Sequence, residues 1–118
     1  MKKLVIIGLF LFSVIVLPAC SSKGEESNLT LEQFIKAYTD AGVEVDPNEK
    51  QNYQAVNAKD GVIFYMDLKP VKIYEFESVK ALNKQAKEDE IVNGWKKNGK
   101  FALHTSSEPA IEIFNSVK

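Results

Sequence analysis

The chain of 118 residues predicts an α+β domain: a small antiparallel sheet of about three to four strands packed by about three helices. Three observations carry that expectation. Residues 29–43 place apolar side chains at helical spacing between a capping residue and a glycine. Residues 62–68 (VIFYMDL) and 71–76 (VKIYEF) are rich in β-branched and aromatic residues. Asn98-Gly99, a preferred two-residue hairpin turn, separates two short candidate strands.

The first helix is the best specified. Thr30 can cap it while Gln33 reaches back, and Leu29 can staple onto Phe34. Leu31, Phe34, Ile35, Tyr38 and Ala41 follow one face, and Gly42 supplies a left-handed stop after which Val43 can fold back on Tyr38. Asp46-Pro47-Asn48-Glu49 can start a short second helix or form only a turn. The stretch that follows, to Asp60-Gly61, is polar and turn-rich, with Tyr53, Ala55 and Val56 as core candidates.

Residues 62–68 and 71–76 predict two antiparallel strands joined through Lys69-Pro70, with Pro70 at a strand end where its missing N–H is tolerated. Ser78 caps a polar surface helix over residues 79–87, which has only Val79, Leu82 and Ala86 to bury, and Glu88-Asp89-Glu90 reads as its solvated end. Residues 91–105 read as a second hairpin in which Asn98-Gly99 turns, Lys97 faces Lys100, and Trp95 opposes Ala102 while Phe101 and Leu103 take the other face. A last helix starts around residues 107–109 and offers Ala110, Ile113, Phe114 and Val117 at helical spacing.

The inventory for chemistry is thin. There is one cysteine and one histidine, so a multi-ligand transition-metal site has too few donors and no intrachain disulfide can form. His104 stands beside Thr105, Ser106 and Ser107, but no Gly-x-Ser-x-Gly elbow accompanies it, and a strand-end histidine is the preferred reading. Asp46, Asn48 and Asp60 lack the ligand spacing of a calcium loop and suit turns and caps. No cofactor is expected, and the reading is non-enzymatic. For binding, Trp95 beside Lys96, Lys97 and Lys100 is the candidate constellation, able to meet an anionic surface or a partner protein; the competing reading makes Trp95 core and the lysines guards of an edge strand. Tyr65, Tyr74 and Phe76 form either an exposed aromatic patch or core.

The address is more explicit than the task. Lys2 and Lys3 precede an apolar run over residues 4–17, broken only by Gly8 and Ser13, and then Leu17-Pro18-Ala19-Cys20. As a helix that run of about 14 residues spans ~21 Å, short of the ~30 Å hydrocarbon core. Leu17-Pro18-Ala19-Cys20 resembles the lipobox of bacterial lipoproteins, although Pro18 stands where that pattern usually has a small non-proline residue. The resemblance implies diacylglyceryl transfer to Cys20, cleavage before it, and a mature protein anchored by lipid on the extracytoplasmic face. Residues 1–19 are then a cleaved signal peptide, residues 20–28 a flexible tether reaching ~27 Å, and residues 29–118 a single domain.

Without residues 1–19 the chain keeps 13 lysines against 16 acidic residues, a formal charge of −3, and it has no arginine. Neither property favours nucleic acid or bidentate phosphate capture. Taken together, "AKDGVIFYM", "VKIYEFES" and "NGKFALH" before a closing helix resemble small lipoproteins of low-GC Gram-positive bacteria. That resemblance implies an anchored, outward-facing domain and carries over no functional residue. The expectation is a binding or interaction protein of the cell envelope, its partners the membrane through Cys20 and an envelope or extracellular protein or peptide. The alternatives are an accessory envelope hydrolase with an unrecognised site, and a leader that yields a peptide pheromone, suggested by Leu11-Phe12-Ser13.

Overall fold

Thr30 satisfies the first orphan amide of a helix by accepting from Gln33 N at 3.2 Å, while Gln33 Oε1 accepts from Thr30 N at 2.8 Å. The computed structural model describes residues 28–118; the leader of residues 1–19, Cys20 and the tether up to residue 27 lie outside the described residues. The capped helix, α1 (Leu31–Asp40), buries Leu31, Phe34 and Tyr38. It ends as the sequence predicts: Gly42 takes φ +91°, and Val43 N donates back to Tyr38 O at 3.0 Å.

Residues 46–49 form the turn rather than the helix. Asp46 Oδ1 accepts from Asn48 N at 2.9 Å and Asp46 O accepts from Glu49 N at 3.0 Å, so the aspartate closes the chain on itself. A single 3₁₀ turn, Tyr53–Val56, leads into β1 (Asp60–Met66) and β2 (Lys69–Glu75). The connection between them is a correction to the sequence reading. Asp67 and Leu68, both at positive φ (53° and 69°), make the two-residue turn, and Lys69 and Pro70 belong to β2. Two left-handed residues give the turn a twist that matches paired strands, which a connection through Pro70 cannot do. Pro70 is tolerated because its pair with Tyr65 is one step from the bonded pair at the turn; its nitrogen therefore faces away from β1, and the ladder to the other neighbour begins only at Val71.

Ser78 caps α2 (Val79–Glu88) by accepting from Ala81 N at 3.0 Å. A second correction follows: residues 91–92 are not strand. Asp89 accepts from Ile91 N at 2.9 Å and starts a one-turn helix, α3 (Glu90–Asn93), which buries Val92 and stops at Gly94. The strands β3 (Lys96–Asn98) and β4 (Phe101–Thr105) form the second hairpin, and α4 (Glu108–Ser116) closes the chain from a Ser107 cap. Here too the register departs from expectation. Asn98 pairs with Phe101 and Lys97 with Ala102, so Gly99-Lys100 is the turn and Trp95 lies before the strand. Asn98 is held in β3 because its side-chain amide donates to Phe114 O and Val117 O, both at 2.9 Å, at the end of α4. Gly99 then supplies the only left-handed residue the turn needs, at φ +62°.

All four strands pair antiparallel in the order β1-β2-β4-β3, so the fold is the α+β arrangement the sequence predicts. Alternation divides the side chains between two cores. On one face Val62, Phe64, Val71, Ile73, Phe101 and Leu103 meet α1 and α4. On the other, Tyr74, Phe76 and Ala102 meet α2, α3 and the 3₁₀ turn through Leu82, Ala86, Val92, Tyr53 and Val56. Ala55, a core candidate in the sequence, is exposed.

Tyr38 ties the first core together. Its fully buried hydroxyl donates to Ala110 O at 2.7 Å, and its ring meets Phe64 edge-on at 4.8 Å. Burial pushes this phenol above its ordinary value of 10.0. Above about pH 10 the unfolded chain therefore loses a proton that the folded chain keeps, and stability falls with rising pH by up to ~1.4 kcal/mol per unit for this group. Urea unfolding between pH 9 and 11 should show that decline, and Tyr38→Phe should remove about one proton's worth of its slope.

Candidate functional site

Trp95 reaches the sheet from the end of α3, where its N–H donates to Val92 O at 3.0 Å. The indole stacks on Tyr74 (centroids 4.7 Å apart, planes at 12°) and on His104 (5.0 Å, 17°). Tyr74 pairs with Ala102 across β2 and β4, so His104, two residues further along β4, is its diagonal neighbour on the same face. Trp95 therefore covers Tyr74 and is itself half-buried. Burial raises the Tyr74 phenol, and a hydrogen bond with the Gln51 side chain works against that shift.

His104 is directly opposite Lys72. Partial burial lowers the imidazole below 6.5, and the Lys72 ammonium lowers it further. As pH falls through the unfolded value, the unfolded chain takes up this proton first, so His104 costs stability on the acid side. Two of the three hydroxyls near it are engaged elsewhere, and Ser106 is exposed: Ser107 caps Ala110 N, and Thr105 Oγ1 donates to Pro70 O at 2.8 Å while accepting from Ser107 N at 3.1 Å. No Ser-His hydrogen bond forms among the described residues. Trp95→Ala should therefore do two things: lower stability by about 1–3 kcal/mol, a fraction of the cost for a fully buried tryptophan, and let the His104 pKa rise toward 6.5. His104 is the sole histidine, so a proton NMR titration reads it without assignment.

The structure separates the lysines that the sequence groups with Trp95. Lys97 Nζ donates to Asn93 O, the last carbonyl of α3, and to Trp95 O just beyond it, both at 2.9 Å. Lys100 lies 3.1 Å from Glu75, a largely buried carboxylate that also has Lys59 at 3.8 Å. Only Lys96 is exposed without such a partner. Both Lys96 and Lys97 lie on β3, an edge of the sheet, where lysine discourages pairing with another chain. Cys20 lies outside the described residues.

Two of the three exposed large apolar side chains among the described residues gather elsewhere, the third being Ile91 on α3. Leu68 is 95% exposed at the tip of the β1–β2 turn and Tyr65 is 59% exposed beside it, whereas Tyr74 and Phe76 are core. Lys69 follows the turn on β2 and Lys72 stands three residues further on, opposite Ile63, and neither makes an ion pair among the described residues. Across the free edge of β1 lies a cleft of about 700 Å³ lined by Val43, Glu44, Val45, Asp46, Glu49 and Ile63, among others. The sequence reading singles out Tyr65 but not Leu68 or Lys72, because the connection it expects at Lys69-Pro70 places Leu68 inside a strand. Asp67-Leu68 in the turn is the signal that would have found them.

Among the described residues no group of three or more His, Cys, Asp or Glu is arranged to hold a metal ion. No protein-family model, curated protein or solved structure matches the chain.

Proposed function

We propose that this protein is a lipid-anchored binding protein of the bacterial cell envelope, held on the extracytoplasmic face of the cytoplasmic membrane, with a non-enzymatic role. One observation carries the reading: a charged start, an apolar run too short to span a bilayer, and Leu17-Pro18-Ala19-Cys20 directly before a polar stretch. Diacylglycerol on the Cys20 thiol, with an acylated amino terminus, supplies the two or more chains that durable anchoring needs at ~0.8 kcal/mol per buried methylene. The polar tether then holds a small folded domain near the surface, where envelope proteins or peptides are its natural partners. Acylation also commits the only thiol, so a covalent-catalysis role for it has no place in this reading.

Growth of an expressing Gram-positive host with a labelled fatty acid, followed by membrane fractionation, tests the proposal. The protein should carry the label and remain with the membrane after a high-salt wash. An unlabelled protein recovered in the soluble fraction would overturn it.

A further inference from the structure

We infer that the pole formed by the β1–β2 turn and the neighbouring cleft is a self-association surface, its occupant a second copy of this chain. The pole carries a basic half and an acidic half whose charges do not pair within one molecule, with Tyr65 lining the boundary between them. Lys69 follows exposed Leu68 on β2 with its side chain on the Phe64 face, and Lys72, three residues further on, lies on the face of exposed Tyr65. Glu44, Asp46 and Glu49 line the cleft on the far side of β1, together with Val43, Val45, Ile63 and Tyr65. Neither the two lysines nor the three carboxylates make an ion pair among the described residues.

The edge of β1 between these halves is open at one place. Ile63 N donates to Glu49 O at 3.1 Å and Gln51 N donates to Gly61 O at 3.3 Å, so residues 49–51 cover the edge as far as Ile63. Tyr65 is the next residue whose N–H and C=O point away from β2, since the bonded pair at the turn is Met66 with Lys69. An open edge flanked by exposed apolar side chains is a template for another chain. The opposite edge, β3, is short and carries Lys96 and Lys97.

A two-fold axis close to Tyr65 satisfies both halves at once. Each turn then enters the other copy's cleft, with Leu68 against Val43 and Val45 and Lys69 against the carboxylates, and the contact closes as a dimer. Leu68 supports a role beyond the monomer. At φ 69° a leucine adopts a conformation that L-residues other than glycine, asparagine and aspartate seldom use, and at 95% exposure it gains nothing from packing. Asp-Gly at the same two positions is a preferred turn of this kind, so Leu68→Gly should leave the fold as stable or more so while removing the inserted side chain.

Thiol crosslinking of the full-length protein in native membranes tests this. With Cys20 acylated, Tyr65→Cys is the sole free thiol; a short bis-maleimide should give a dimer band, while Asn83→Cys on exposed α2 gives none above background. Lys69→Glu in the Tyr65→Cys protein should lower the band at least threefold, as should Leu68→Gly, and adding Glu44→Lys with Glu49→Lys to the Lys69→Glu protein should restore it. A Tyr65→Cys band no stronger than that of Asn83→Cys, a band to a different protein, or charge reversal without rescue would overturn the inference. A dimer band in the unmodified protein would instead report a free Cys20, which counts against the lipid anchor and not against the interface.

Discussion

Phe34→Ala is expected to lower the unfolding free energy by about 3–5 kcal/mol, the cost of deleting a fully buried aromatic side chain. Phe34 has no exposed surface, and its ring meets Phe101 of β4 at a tilt (4.5 Å, 43°) and stacks on Phe114 of α4 at 5.0 Å. One side chain thus joins α1, the sheet and the closing helix, elements far apart in sequence. Relaxation cannot easily fill the void, because the Tyr38 hydroxyl, donating to Ala110 O, ties α1 to α4 one turn further along. For a domain of this size total stability is only about 5–14 kcal/mol, and each kcal/mol shifts Tm by roughly 4–8 °C. The variant should therefore melt on the order of 15–30 °C lower, followed by fluorescence of the single tryptophan, with Ile91→Ala as control. Ile91 is 67% exposed on α3 and should change stability by less than about 0.5 kcal/mol. Equal effects at the two positions would show that α1 does not carry the core as described.

The same helix shows what a sequence makes legible. Thr30, Gln33, Gly42 and Val43 act through hydrogen bonds within a few residues of themselves, so local chemistry identifies them without the rest of the chain. The two-face division of the sheet was legible for a similar reason: alternation alone separates Phe101 and Leu103 from Ala102. Turn positions were not. Asn98-Gly99 carries the stronger local hairpin signal, but Asn98 makes two hydrogen bonds to the end of α4, and those distant partners move the turn by one residue and the pairing sum by two. Asp89 likewise looks like the polar end of α2 until its carboxylate is seen capping the next helix.

The candidate site suffered most from these shifts. Trp95, Lys96, Lys97 and Lys100 are neighbours in sequence, yet two of the lysines close backbone carbonyls or a buried carboxylate, and the tryptophan shields Tyr74. What they contribute to the fold is visible in their partners. The exposed pole around Leu68 depends on which residues turn, and a strand pattern read through residue 68 conceals it. The resulting picture places the adhesive surface on a hairpin end, with Trp95 and its stacked rings holding α3 against the sheet face that Tyr65 and Lys72 share.

Cys20→Ser is expected to abolish fatty-acid labelling entirely and to leave the leader attached. A serine hydroxyl cannot form the thioether, and in the lipobox pathway cleavage follows lipid transfer, so the two events should be lost together. Loss of membrane attachment alone is a poorer measure. The apolar run of residues 4–17 persists in the unprocessed chain and can retain it at the membrane despite being short for a stable span. Mass separates the cases: the wild type should start at an acylated Cys20, whereas the variant should keep residues 1–19 and carry no lipid. Pro18→Ala probes the one departure from the lipobox pattern. It removes a residue with fixed φ and no N–H one position before the Ala19–Cys20 bond to be cut, so it should preserve the label and shorten the lifetime of the uncleaved precursor in a pulse-chase. If Cys20→Ser retains the label, acylation lies at another residue and the anchor assigned to Cys20 is wrong. If wild type and Cys20→Ser are both unlabelled and both cleaved, residues 1–19 act as an ordinary secretory signal, and the domain with its exposed Leu68 pole is released rather than tethered.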